Sequence, residues 1–188
     1  MLSTNGRISA KNSGNNSTQY IGNIVHYTAQ EPQKLQKTHI YKLLELYSDA
    51  NDESGSFDLT NLPSELEKKL TFNNVINQRR LFRTFAREFQ LVDKVLDDVP
   101  NSETIIKSLE RKYCLLIPPE PKWQQTPGAA DKVLKELADH IQETVQNDPR
   151  FAALDLEVET VQHFCTALVE VGVSKCKVLE IPPKMSKQ

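Results

Sequence analysis

The sequence predicts an all-α fold: a compact bundle of about five to six helices behind a disordered N-terminal tail. Three observations carry that expectation. From residue 38 onward, apolar residues recur at steps of three and four. Proline- and asparagine-bearing stretches punctuate the pattern at intervals that suit helices. Beyond the tail, no long alternation of apolar and polar residues marks a strand.

Residues 1–35 form the tail, with Asn5, Asn12, Asn15, Asn16 and Asn23 set among Ser, Thr and Gly. Such a segment buries too little surface to offset its ordering entropy. Within it, residues 16–25 carry neither charge nor proline and place Thr18, Tyr20 and Ile24 on one face of an extended chain. That is the profile of a strand-addition or cross-β segment.

The helical domain is expected over residues 36–184. Ile40, Leu43, Leu44 and Tyr47 define a first helix with Thr38 as its N-cap. Pro63 starts a short second one carrying Leu66 and Leu70. The longest helix is expected from Asn73 to Val99, where Phe82, Phe85, Phe89, Val92, Leu96 and Val99 form a seam that needs a partner. That partner lies either within the monomer or on another chain. A helix through Leu116, capped by Asn101 or Ser102, carries Ile105, Ile106, Leu109 and Tyr113. The proline-rich run 117–127 reads as a stiff extended connector, with Trp123 folding back onto the bundle. Two further helices follow, from Ala129 to Val145 and from Leu156 to Lys175. The last is apolar around much of its circumference and belongs near the centre.

The totals agree with a globular domain. Of 188 residues, 38% are hydrophobic and 26% charged, enough for one core. The net charge of −2 provides no global field toward nucleic acid or anionic membrane. Cys114, Cys165 and Cys176 lack metal-knuckle spacing, and buried thiols in a reducing compartment account for them best. There is no signal-like h-region and no apolar run near the roughly 20 residues that span a bilayer, so a cytoplasmic location is expected.

Catalytic patterns are absent. His26, His39, His140 and His163 form no metal-binding pair, and His163 and Cys165, two residues apart on a helix, point away from each other. No catalytic residue, cofactor or metal is expected. One charged group stands out: Arg79, Arg83 and Arg87 at i, i+4 and i+8, with Arg80 alongside. Guanidiniums so arranged suit phosphates or an acidic partner. The plainer alternative is a solvated face paired with local carboxylates such as Glu88.

Three stretches add a resemblance. They are Leu66-Glu-Lys-Lys-Leu-Thr-Phe-Asn-Asn74, Ile106-Lys-Ser-Leu-Glu-Arg-Lys-Tyr113 and Lys175-Cys-Lys-Val-Leu-Glu-Ile-Pro-Pro183. In that order they resemble the C-terminal domain of ABC-three-component systems, the Lamassu-like bacterial conflict systems. The resemblance implies a non-catalytic adaptor in defence against phage or plasmid. Its implied partners are an SMC-like ABC ATPase, a small middle component and an effector. In the family the effector precedes this domain, whereas here only the tail does, so the resemblance implies an effector on a separate chain. Gln19, Tyr20, Ile21 and Gly22 resemble RHIM-like bacterial amyloid motifs, which implies that the tail recruits that effector by templated strand addition. A nucleic-acid-binding regulator using the arginines is the alternative, and a homo-oligomer is open.

Overall fold

Thr38 opens the first helix as its residue type suggests: the Ile40 amide donates to its hydroxyl at 3.2 Å. The structure, a computed structural model, describes residues 37–51, 62–175 and 177–183. The tail with its strand-prone segment, and the polar stretch after Asn51, lie outside the described residues.

Seven α-helices make up the described fold: α1 (His39–Asn51), α2 (Ser64–Phe72), α3 (Asn77–Thr84), α4 (Ala86–Asp97), α5 (Ser102–Leu116), α6 (Ala129–Gln146) and α7 (Val158–Ser174). Short 3₁₀ turns at Trp123–Gln125 and Phe151–Ala153 join α5 to α6 and α6 to α7. There is no strand among the described residues, and the all-α expectation stands. None of their helices is long and apolar enough to cross a membrane.

The bundle is built around α7. Phe164, Ala167, Leu168, Val171 and Val173 on it are completely buried. It packs most extensively on α4 and α6, and α1 closes over α4. Tyr47 of α1 meets Phe164 with ring centroids 5.4 Å apart. The breadth of the apolar surface on α7 is thus matched by neighbours on several sides.

The long helix expected from Asn73 to Val99 is instead two. Phe85, at φ −103 and ψ 27, leaves helical geometry between α3 and α4. Just before it, the Thr84 hydroxyl donates to the Arg80 carbonyl at 3.1 Å, a back-bond that bends helices. The break lets Phe82 enter the core while Phe85 turns toward His163, ring centroids 4.5 Å apart. Phe89, Val92, Leu96 and Val99 are buried, so the seam closes mainly within the monomer.

Other junctions differ in detail. Asn101 precedes α5 in left-handed geometry (φ 70) without a side-chain cap. The connector before α6 is turned rather than extended throughout: Lys122 has φ 59 and the 3₁₀ turn follows. It folds back as expected and buries Trp123. Cys165 is buried, but Cys114 is exposed, which corrects the buried-thiol reading there, because Tyr113 takes the inward position on α5. Cys176 lies outside the described residues.

Asp148 ties the start of α1 to the α6–α7 connection. Its carboxylate accepts hydrogen bonds from the Thr38 amide at 2.8 Å and from the Arg150 guanidinium at 2.8 and 2.9 Å. The Arg150 guanidinium lies 4.1 Å from the centre of the Tyr41 ring. The hydrogen bonds from Arg150, chief among these interactions, hold the Asp148 carboxyl down at about 2. A depressed acid stabilises the fold above its unfolded value, and that stability is lost as pH falls from about 4 through about 2. Asp148→Asn is therefore expected to cost roughly 1–2 kcal/mol at pH 7, with screening allowed for, and much less at pH 2. Denaturant melts at the two pH values check this.

Candidate partner-docking site

The arginines of the sequence lie on two helices. Arg79, Arg80 and Arg83 are on α3, whereas Arg87 follows the break on α4, so the single stripe at i, i+4 and i+8 does not persist. The Arg83 Nε donates to Glu67 Oε1 of α2 at 2.7 Å. The Arg79 Nη1 donates to the Thr71 hydroxyl at 3.0 Å, and its Nε lies 3.9 Å from Glu67 Oε2. Arg87 pairs with Glu88 at 3.8 Å, and Arg80 is exposed. Local carboxylates thus hold three of the four, and Glu67 is their main partner. Gln19, Tyr20, Ile21 and Gly22 lie outside the described residues.

Rigid stitching holds this α2–α3 segment on the bundle. The N-terminus of α3 is capped from a distant helix: the amides of Ile76 and Gln78 donate to the two carboxylate oxygens of Asp131 at 3.1 and 2.7 Å. Asp131 itself lies in the first turn of α6. An acidic group suits orphan amides at a helix start. Asn73, where the sequence starts the long helix, instead ends α2. Asp131→Ala is expected to cost about 1–2 kcal/mol. Hydrogen exchange should quicken at the α3 amides before those of α7.

A second group of stitches brings the three resembling stretches together. The Asn73 amide donates to the carbonyls of Lys69 and Glu180 at 2.9 and 2.8 Å, and its oxygen accepts from the Glu180 amide at 3.0 Å. Lys69, itself buried, donates to the Val173 carbonyl at the end of α7 at 2.8 Å. The Leu179 backbone is hydrogen-bonded to the Tyr113 hydroxyl. Burial, aided by Glu180, pushes that phenol up to about 12. Leu179 adopts φ 66, an unusual conformation for leucine that these bonds hold in place. Gly172 permits the close fit, since a Cβ there would come within 3.2 Å of a Val178 methyl. Residues from 66–74, 106–113 and 175–183 therefore form one clamp at the end of α7.

Compared with known proteins, the chain matches no family model, no curated protein and no solved structure.

The outer surface beside the clamp is basic and apolar. From Lys68 to Arg87 there are five cations besides the buried Lys69 and no carboxylate, in a chain whose net charge is −2. Phe72, Ile76 and Leu81 in the same stretch are 44%, 47% and 41% exposed. Leu81 and Phe85 form one side of an open groove of about 480 Å³, with α6 and α7 supplying the other. His163 lies in that groove against Phe85, and Cys165 reaches it from the core. Burial pushes the Cys165 thiol up to about 12, so it stays protonated and a poor nucleophile at neutral pH. Among the described residues no group of three or more His, Cys, Asp or Glu could hold a metal ion.

Sequence reasoning did not find the roles of Asp131, Asn73 and Glu170. The first two act across more than 50 residues of chain, which local spacing cannot register. Glu170 is wholly buried on α7, and neither of its carboxyl oxygens has a hydrogen-bond partner among the described residues.

Proposed function

We propose that the chain is a non-catalytic adaptor of an ABC-three-component-type, Lamassu-like system of anti-phage or anti-plasmid defence. In this reading the bundle docks on an SMC-like ABC ATPase in the cytoplasm, beside a small middle component, and the tail around Gln19–Gly22 recruits a separately encoded effector. The observation that carries the reading is the clamp. The stretches that resemble the family lie far apart in sequence, yet their Asn73, Tyr113, Leu179 and Glu180 meet in space. Their side chains fasten backbone segments together, which suits a scaffold that presents a surface.

The nucleic-acid reading has less support. Arg79 and Arg83 are engaged by Glu67, a carboxylate that repels phosphate, and the exposed leucine and isoleucine beside them contribute nothing to a phosphate contact. Bound nucleic acid would show a salt slope of about one unit per phosphate contacted. A filter-binding series without such a slope is the expected result.

The genetic test reads the flanking genes and then deletes this one. An SMC-like ATPase gene alongside, with phage plating efficiency rising when this gene is removed, is the expected outcome. A gene with no such neighbour, whose loss leaves phage and plasmid susceptibility unchanged, contradicts the adaptor role.

A further inference from the structure

We propose that the face formed by α3 and the start of α7 is a self-complementary surface that pairs two copies of this chain about a two-fold axis. The inference stands on charge and shape and does not depend on the defence reading. On one side, Arg80 and Arg83 flank Leu81, which is 41% exposed. On the other, Asp155, Glu157 and Glu159 surround Val158, which is 59% exposed. One patch is basic and apolar, and the other is acidic and apolar.

Leu81 of the basic patch lines an open groove, and the acidic patch lies about one turn of α7 before the residues that line its other side. Leu81 of α3 and Phe85 at the α3–α4 break line one side, and Gln162, His163 and Thr166 line it from α7. Glu159 sits three residues before Gln162, on the same helical face and one turn nearer the N-terminus. A two-fold rotation about the groove sets the basic patch of each copy against the acidic patch of the other, so every charge contact forms twice. The exposed Leu81 and Val158 then fill the middle and keep water from the ion pairs, the arrangement in which such pairs matter most. A nucleic acid would satisfy only the arginines and would be repelled by Glu157 and Glu159. A second copy satisfies both patches.

Sedimentation velocity of the full chain across a concentration series tests this through a charge swap. The wild-type chain is expected to dimerise. Arg80→Glu with Arg83→Glu makes both patches acidic, and Glu157→Lys with Glu159→Lys makes both basic. Each variant alone should dimerise at least about tenfold more weakly. An equimolar mixture of the two should recover the dimer, because each patch again meets its opposite. Circular dichroism confirms folding, and since Arg83 also pairs with Glu67, Arg80→Glu alone and Leu81→Asp provide separate arms that should also weaken dimerisation. Three results would overturn the proposal: a wild-type chain that is monomeric at every concentration, folded variants that dimerise as well as the wild type, or a mixture that stays monomeric. The first would leave the basic face to an acidic partner protein.

Discussion

Replacing Glu170 with glutamine is expected to stabilise the protein, and the gain should grow with pH. The carboxyl is wholly buried on α7 with no hydrogen-bonding partner among the described residues. Burial, reinforced by the nearby Glu88, pushes it up to about 9. The folded protein therefore holds a proton there that the unfolded chain releases above about 4.5. Because the unfolded state binds fewer protons over that window, stability falls as pH rises from about 4.5 toward 9. At pH 7 the loss is roughly 2–3 kcal/mol, or about 5–10 °C in Tm for a chain of this size. Glu170→Gln and Glu170→Met both remove the titration. Thermal melts should show variants and wild type converging near pH 4 and separating at pH 8, with the variants more stable. A pH-independent difference would contradict the account of this carboxyl.

The second large effect concerns the clamp. Asn73→Ala deletes three hydrogen bonds and leaves the buried Glu180 backbone without its partner, while the Lys69 carbonyl keeps the backbone amide of residue 73. Removing one side of a buried polar network costs more than the bonds themselves contribute, here about 2–4 kcal/mol. Local and global consequences are separable. Hydrogen exchange at residues 177–180 should rise first, since Lys177 and Val178 reach the rest of the chain through the Gly172 carbonyl at the end of α7. Asn73→Asp preserves the acceptor for the Glu180 amide but sets a buried carboxylate against the Lys69 and Glu180 carbonyl oxygens, and should destabilise at least as much as alanine. Equal protection of residues 177–180 in all three proteins would argue against the clamp.

The helices were legible because their apolar residues keep helical spacing. Ile40 to Tyr47, Ile105 to Tyr113 and Val133 to Val145 all face inward as that spacing requires. Trp123 was legible because a large apolar ring in a proline-rich connector has nowhere else to go. The break at Phe85 was not legible, since the steps from Phe82 to Val99 run on without interruption. It goes with Phe85 facing His163 across the bundle, a tertiary contact. The arginine group shows the same limit. Spacing put three guanidiniums in a line with a fourth alongside, but Glu67 on another helix decides where two of them point. Long-range caps such as Asp131 stayed hidden because a carboxylate early in a helix reads as serving its own helix.

The adaptor reading meets its most direct test in co-purification with the SMC-like ATPase that it expects to be encoded beside this gene. Wild-type chain, Arg80→Glu/Arg83→Glu and Asn73→Ala would each be co-expressed with a tagged ATPase and recovered on the tag. The account predicts stoichiometric recovery of the wild-type chain and of the basic-face variant. It predicts reduced recovery of Asn73→Ala in proportion to its loss of folded protein. A folded wild-type chain that never co-purifies with the ATPase, with or without nucleotide, would contradict the central claim.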